Sequence, residues 1–279
     1  MTGRSGGGVH RLATALLMIL ATGVIGATNA TAQSLPGADP AGQALTPLAG
    51  GVVVAVTDGD TLALADGRVV RLVGIQAPKL ALGRAHLSDW PLAGAARDHL
   101  AGLVLDRPVT LYAGGVAVDR HQRVLAHVVR DDGLWLQGAM LAAGLARVYT
   151  FADNTTLAAH MLALERAARN TGQAMWRLDA YAVLTPPETG DRIGDFALVE
   201  GTVLDAAVVR GRAFLNFGPD WRTDFTITVG PAEVRRFAAA GIALDSLAGR
   251  RVRARGWLAS RNGPQLELDH AAALEILPP

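Results

Sequence analysis

Two Asp-Gly pairs eight residues apart, Asp58-Gly59 and Asp66-Gly67, constrain this chain more tightly than any other feature. Asp-Gly favours the tight turn of a hairpin, and here the pairs separate three short β-branched runs: Gly51 to Val56, Thr61 to Leu64 and Arg68 to Ile75. Two turns joining three strands predict a meander. A helix-compatible stretch follows from Pro91 to Leu103, with Leu92, Ala95, Ala96, Leu100 and Leu103 as its apolar positions. Strands at Val109–Ala113 and Val124–Arg130 come next, Asp131-Asp132-Gly133 turns the chain, and Gln137–Gly144 reads as a short helix closed by glycine. Asn154-Thr155-Thr156 then reads as the cap of a long helix with Leu157, Met161, Leu164 and Ala168 on one face. Strands, helix, strands and two helices is the order of a five-stranded barrel carrying helices, an OB-fold arrangement over residues 50–181.

Residues 182–196, with Pro186-Pro187-Glu188 and Gly190, read as a linker. Beyond them, residues 197–279 hold strands at Val199–Leu204, Arg212–Phe217, Asp224–Val229, Arg251–Leu258 and Gln265–Leu268, with a helix at Ala232–Ala240. Five strands with a helix between the third and fourth predict a second, smaller OB-like barrel, so the fold class is mainly β with helices. No sequence repeat relates the halves.

At the N-terminus, Arg4 and Arg11 precede the apolar run Leu12 to Ala27, which ends at the small residues Ala30-Thr31-Ala32. The run is short for a membrane span, and the pattern is that of a secretory signal peptide, residues 1–32, cut near Ala32. Residues 33–49 read as a flexible leader. The expected destination is the periplasm or the medium, with no transmembrane segment after cleavage. Removing residues 1–32 takes away two arginines and no acid, leaving 24 basic against 25 acidic side chains. A near-neutral protein has no global field for nucleic acid, so any anion site is local. Cysteine is absent, which excludes disulfides, thiolate nucleophiles and cysteine-ligated zinc.

The chemistry-bearing residues come in a fixed order. Asp58-Gly59-Asp60-Thr61 sits at a turn, and Arg71-Leu-Val-Gly-Ile-Gln-Ala-Pro-Lys79 follows. Then come Asp119-Arg-His-Gln-Arg123, Gly144-Leu-Ala-Arg-Val-Tyr149, and a helix with His160 and Glu165 that leads to Trp176. Over residues 51–177 this series resembles the thermonuclease family, the staphylococcal-nuclease-like enzymes. The two-halved layout resembles an exported bacterial branch of that family. The resemblance implies Ca²⁺-dependent phosphodiester hydrolysis and carries over only where residues match. Asp60 matches a metal carboxylate, and Arg71 and Arg123 match two phosphate-binding arginines. Tyr149 matches an aromatic beside the nucleotide. A planar guanidinium binds phosphate through two parallel hydrogen bonds and neutralises charge that develops on it, so both arginines suit catalysis as well as binding.

Two positions depart from the family. Its second metal carboxylate falls at Gln76, and the acid that activates water falls at Lys79, the one lysine in a chain with 25 arginines. Ca²⁺ prefers several carboxylate oxygens, so a neutral amide and a nearby ammonium leave Asp60 a weak or absent metal site. Loss of a general base typically costs about 10²–10⁴-fold in rate. Lys79 is expected to complete a metal-free phosphate cradle with Arg71 and Arg123, to act itself as the base, or to be a solvated remnant of lost catalysis. His86, Asp89 and His99 are candidate replacement metal ligands. Arg251, Arg253 and Arg255 alternate along one strand, and Trp221 and Trp257 are the aromatic residues that could help them. They form either a phosphate track or a solvated, locally paired face. The expected function is an exported thermonuclease-family protein that binds nucleic acid or nucleotide phosphate with its Ca²⁺ mechanism lost or weakened. The alternatives are an active metal-dependent endonuclease with Asp58 or Asp119 as a substitute ligand, and an envelope module that binds protein partners.

Overall fold

The structure is a computed structural model and describes residues 1–3, 34, 44–84 and 87–278. All but the first three residues of the predicted signal peptide, most of the predicted leader and His86 lie outside the described residues. The elements of the first half are β1 (Thr46–Asp58), β2 (Thr61–Leu64), β3 (Val69–Leu72), β4 (Ile75–Gln76), α1 (Ala93–Val104), β5 (Pro108–Ala113), β6 (Val124–Arg130), α2 (Leu136–Ala142), β7 (Arg147–Val148) and α3 (Ala158–Asn170). The strands close a barrel in the order β1-β2-β3-β6-β5. All its pairings are antiparallel except β3 with β6, where Arg71 lies opposite Leu125. A parallel pair needs a crossover, and the chain between β3 and β6 supplies it with α1, whose Ala96, Leu100 and Val104 are buried in the barrel core.

Three local expectations change. β1 begins at Thr46, before the predicted leader ends, because Leu48 pairs with Leu111 and packs on the core. The run Arg68–Ile75 is broken at Gly74, whose φ of +84° turns the chain from β3 into β4; a Cβ there would fall 2.4 Å from Met161 Cε. The predicted cap of α3 is replaced by Leu157 in a left-handed conformation with no side-chain cap. Asn154 and Thr156 instead donate to the carbonyls of Val116 and Gly114 and hold that neighbouring segment.

The second half contains β8 (Val183–Leu184), β9 (Phe196–Thr202), β10 (Asp205–Val209), β11 (Arg212–Asn216), β12 (Thr226–Val229), α4 (Pro231–Ala239), β13 (Arg251–Trp257), β14 (Ala259–Ser260), β15 (Pro264–Leu268) and β16 (Leu274–Ile276). In place of one closed five-stranded barrel, its strands lie in two sheets, β10-β11-β12-β15-β14 and β16-β13-β9-β8. Only Val203 and Leu204 separate β9 from β10, and only Leu258 separates β13 from β14, so the chain crosses between the sheets at both corners. Leu215, Ile227, Phe237, Val252 and Leu266 fill the core between them. The predicted linker is structured: β8 pairs with β9, Leu184 joins this second core, and a capping box of Thr185 and Glu188 opens a 3-10 helix over Pro186–Arg192.

A buried ion cluster ties the halves together. Glu165 of α3 is fully buried and accepts hydrogen bonds from Arg255 Nη1 at 2.9 Å, Arg255 Nη2 at 3.1 Å and the Val148 amide at 2.6 Å. Desolvation alone would raise its carboxyl, but Arg255 and these hydrogen bonds outweigh it and hold Glu165 below its ordinary value. Arg255 also reaches Glu275 at 2.7 Å, and Arg253 binds Glu200 at 2.5 Å. Arg251 pairs with Glu200 as well. All three arginines of the suggested phosphate track are therefore matched with glutamates, and Arg255 is withdrawn from solvent altogether.

Candidate functional site

The site forms where the β1–β2 turn meets the loop after β3. Asp58 Oδ1 accepts the Asp60 amide at 3.2 Å, an Asx turn that follows from the aspartate at the turn's first position. Gly59 is required by packing: a Cβ there would lie 2.6 Å from Ala77 Cβ and 2.7 Å from Ala96 Cβ. The turn therefore presses against the loop and α1 together, and Asp60 points inward with no solvent exposure.

Around that carboxylate the loop supplies donors. The Ala77 amide donates to Asp60 Oδ2 at 2.8 Å, and Thr61 Oγ1 donates to Oδ1 at 3.2 Å. Arg71 Nη1 lies 2.9 Å from Oδ2. Lys79 Nζ donates to Oδ1 at 2.5 Å, to Oδ2 at 2.7 Å and to Asp58 Oδ2 at 3.1 Å. Two carboxylates and two cations thus form one cluster without net charge. Desolvation would raise Asp58, yet Lys79 and the hydrogen bonds around it outweigh burial and hold it below its ordinary value. At Asp60 complete burial dominates and pushes the carboxyl up, against the pull of Arg71 and Lys79 and with Asp58 adding to the rise.

Arg71 is nearly buried and braces the loop. Nη1 also donates to the carbonyls of Leu72 and Asp60, and Nη2 donates to that of Ile75 at 2.7 Å. No described protein group accepts from its Nε, so the Nε/Nη2 edge of the fork remains for a ligand. Arg123 immediately precedes β6, two residues before Leu125, the strand partner of Arg71, and Asp119 holds its Nε at 2.8 Å. Asp119 also accepts the amides of His121 and Arg123, so it shapes the turn that aims this arginine.

Gln76 faces away from Asp60. Its Oε1 accepts from Arg147 Nε at 3.0 Å and Nη2 at 2.6 Å, while Arg147 Nη1 reaches the Phe196 carbonyl at 2.9 Å and the guanidinium lies 4.4 Å from the Phe196 ring centroid. Tyr149 lies beside the second half. Its hydroxyl accepts from Trp257 Nε1 at 3.2 Å, and its ring meets Phe151 and Phe196 edge-on. Of the candidate replacement ligands, Asp89 is engaged by the Ala81 amide and His99 sits half-buried on α1. Among the described residues no group of three or more His, Asp or Glu side chains comes together as a metal site.

Two comparisons with known proteins bear on this geometry. A family model of the staphylococcal nuclease homologues matches residues 69–178. An Escherichia coli protein described as an uncharacterized endonuclease is 32% identical over 129 residues, which cover 45% of this chain and 76% of that protein. The chain belongs to the staphylococcal nuclease family. The match runs from β3 to beyond α3 and includes Arg71, Lys79, Arg123 and Tyr149.

Staphylococcal nucleases are typically Ca²⁺-dependent, and the residues present here do not fit that ion. Ca²⁺ takes six to eight oxygen ligands, several of them carboxylate. Both Asp60 oxygens are already used by Lys79, Arg71, Thr61 and Ala77; Asp58 is drawn onto the same ammonium, and the Gln76 amide oxygen is bound to Arg147. Sequence reading located Asp60, Arg71 and Lys79 but missed the Lys79 pairing with Asp58 and the whole role of Arg147. The pattern Asp58-x-Asp60 carried the first signal, since it places two acids at one turn beside a lone lysine. Nothing local marks Arg147, because its partners lie 71 and 49 residues away in sequence.

Proposed function

We propose that this is a nucleic-acid-binding member of the staphylococcal nuclease family in which a tethered ammonium has replaced the divalent cation, so that Ca²⁺-dependent hydrolysis is lost or greatly weakened. The observation that carries this reading is the contact of Lys79 Nζ with Asp60 at 2.5 and 2.7 Å and with Asp58 at 3.1 Å. An ammonium there neutralises the acidic turn and lets a phosphate approach it without a metal. In this reading the free edge of Arg71, with Arg123 and the exposed side of Lys79, holds the phosphodiester. Tyr149 borders the base. An ammonium that spends its donors on two carboxylates is unsuited to take a proton from water. The two halves act as two domains, a nuclease barrel and a two-sheet unit, and the chain is exported to the periplasm or beyond, as its N-terminal pattern suggests.

A second reading, an active endonuclease with rearranged ligands, is favoured by the description of the Escherichia coli relative. The deciding experiment is cleavage of labelled single- and double-stranded DNA and RNA in Ca²⁺, Mg²⁺, Mn²⁺ and EDTA, with Arg71→Ala/Arg123→Ala as control. Binding in EDTA without cleavage is the expected result. Metal-dependent cleavage that the control abolishes would establish the second reading instead. Binding that is insensitive to salt would favour an envelope protein-interaction module.

A further inference from the structure

The sheet β10-β11-β12-β15-β14 buries one face and opens the other. Along its strands Ala213, Leu215, Ile227, Val229, Leu266 and Leu268 belong to the core, and the alternating positions point the opposite way. Those positions floor a cleft of about 590 Å³, with Phe214, Asn216 and Thr228 among its lining and Trp221 at its edge. A second cleft of about 550 Å³ lies between this half and the nuclease barrel and is lined by Phe151, Phe196 and Trp257. Arg261 and Gln265 line both clefts, so the two adjoin at these residues and together make up the groove on this half.

Three properties of the groove point to one class of ligand. Its apolar surface is aromatic and exposed: Trp221 is 51%, Trp257 49% and Phe151 49% accessible. Of the arginines that line the clefts, Arg212 and Arg255 are paired with glutamates and Arg261 is not; Arg222 lies outside the linings, next to Trp221. Arg222 lies 4.6 Å from the Trp221 ring centroid, and Arg261, where the clefts meet, has no carboxylate within ion-pair distance among the described residues. Of the acids along it, Glu267 is paired with Arg212, Asp269 shares a hydrogen bond with His270 and keeps its charge, and Asp205 stands at the other end. Flat rings for bases alternating with guanidinium groups for phosphates is how single-stranded nucleic acid is held without regard to sequence.

We propose that the groove binds a single-stranded stretch of polynucleotide, with bases stacked on Trp257 and Trp221 and the intervening backbone held at Arg261. The proposal rests on the nucleic-acid reading above for its choice of ligand, and it adds a site remote from the Asp60 cluster. A strand engaged at both places spans the two halves, so affinity rises with oligonucleotide length beyond what the barrel alone can contact.

The test measures binding of fluorescein-labelled dT20 and dT6 to the full mature chain in EDTA by anisotropy, over a series of salt concentrations. Variants are Trp221→Ala, Trp221→Phe and Arg261→Ala for the groove and Arg71→Ala/Arg123→Ala for the barrel; native circular dichroism and a cooperative melt well above the assay temperature confirm that each is folded. Trp221→Ala is expected to weaken dT20 about five-fold or more, with Trp221→Phe intermediate. Arg261→Ala is expected to reduce the salt slope by about 0.7. If only the barrel variant weakens dT20, the groove proposal falls and the barrel reading stands. If only the groove variants do so, the reverse holds. No binding of either oligonucleotide overturns both, and quenching of tryptophan fluorescence by an N-acetylglucosamine hexamer in preference to dT20 would assign the groove to glycan instead.

Discussion

Replacing Lys79 by Gln tests whether the ammonium holds the place of a cation. The substitution shortens the side chain by one atom, keeps a hydrogen-bonding end and removes the charge. Asp60 is fully buried while the Lys79 side chain is 27% exposed, so the pair stands between an exposed ion pair, worth about 0–1 kcal/mol, and a buried one, whose breaking costs about 3–5 kcal/mol. A loss of about 2 kcal/mol follows, because Arg71 and the Ala77 amide still serve Asp60. For a chain of this size that lowers the melting temperature by about 4–8 °C. The variant then presents two neighbouring carboxylates with free oxygens, and a weak Ca²⁺ site with Kd of about 1 mM is a fair expectation for so few ligands. At about 10 mM Ca²⁺, linkage returns about 1.4 kcal/mol, or about 3–6 °C. Differential scanning fluorimetry with Ca²⁺ titration reads both numbers, with wild type expected to show no Ca²⁺-dependent shift. A wild-type protein that Ca²⁺ stabilises as much as the variant would refute the argument, because the ammonium would then not be competing with the ion.

Further outcomes follow from other contacts. Adding Gln76→Asp to Lys79→Glu restores the family's charge pattern, but the new carboxylate meets Arg147; any gain in Ca²⁺-dependent cleavage should come from Lys79→Glu and hardly change with the second substitution, as a cleavage assay on both variants will show. His127 is fully buried beside Trp135, and desolvation lowers its pKa to about 4. Its unfolded form protonates near 6.5, so the unfolded state binds the extra proton first; stability is intact above about pH 6.5 and declines as pH falls toward 4, by about 3 kcal/mol from this residue. Urea unfolding of wild type and His127→Gln across that range should therefore differ in slope, and parallel curves would contradict the assignment. Arg255→Met strips the fully buried Glu165 of its main cation, with an expected cost of about 3–5 kcal/mol by chemical denaturation; a cost under 1 kcal/mol would mean that Arg169 suffices.

The parts legible in the sequence were those fixed by short-range rules. Asp-Gly turns and β-branched runs gave the meander, and the order of elements gave the barrel, because hairpin geometry and strand alternation act within a few residues. The members of the Asp60 cluster stood out in the sequence, and their pairing did not. That Lys79 closes on Asp58 and Asp60 depends on Gly59 letting the turn approach Ala77 and Ala96, a packing fact with no local signature. The alternating Arg251, Arg253 and Arg255 looked solvent-facing because strand period says which residues share a face and says nothing of what covers it. Glu200, Glu275 and Glu165 cover it, and Glu165 comes from the other half of the chain. The segment 182–196 misled for a related reason: its prolines and glycine punctuate a 3-10 helix that packs on the second core instead of spanning free space.

Arg147 connects what would otherwise be separate histories. One guanidinium grips Gln76 in the site loop and the Phe196 backbone of the second half, so the shape of that loop is set partly by a strand more than a hundred residues downstream. A sequence ending after residue 181 would take the Phe196 carbonyl and ring from Arg147, and Arg255 from Glu165, leaving each with only its partners from the first half. The downstream half is thus part of the scaffold of the upstream pocket, and substitutions along β9 and β13 are constrained by what the pocket must hold. Transplanting the barrel alone into another protein would carry over its motif residues and leave behind the contacts that aim them.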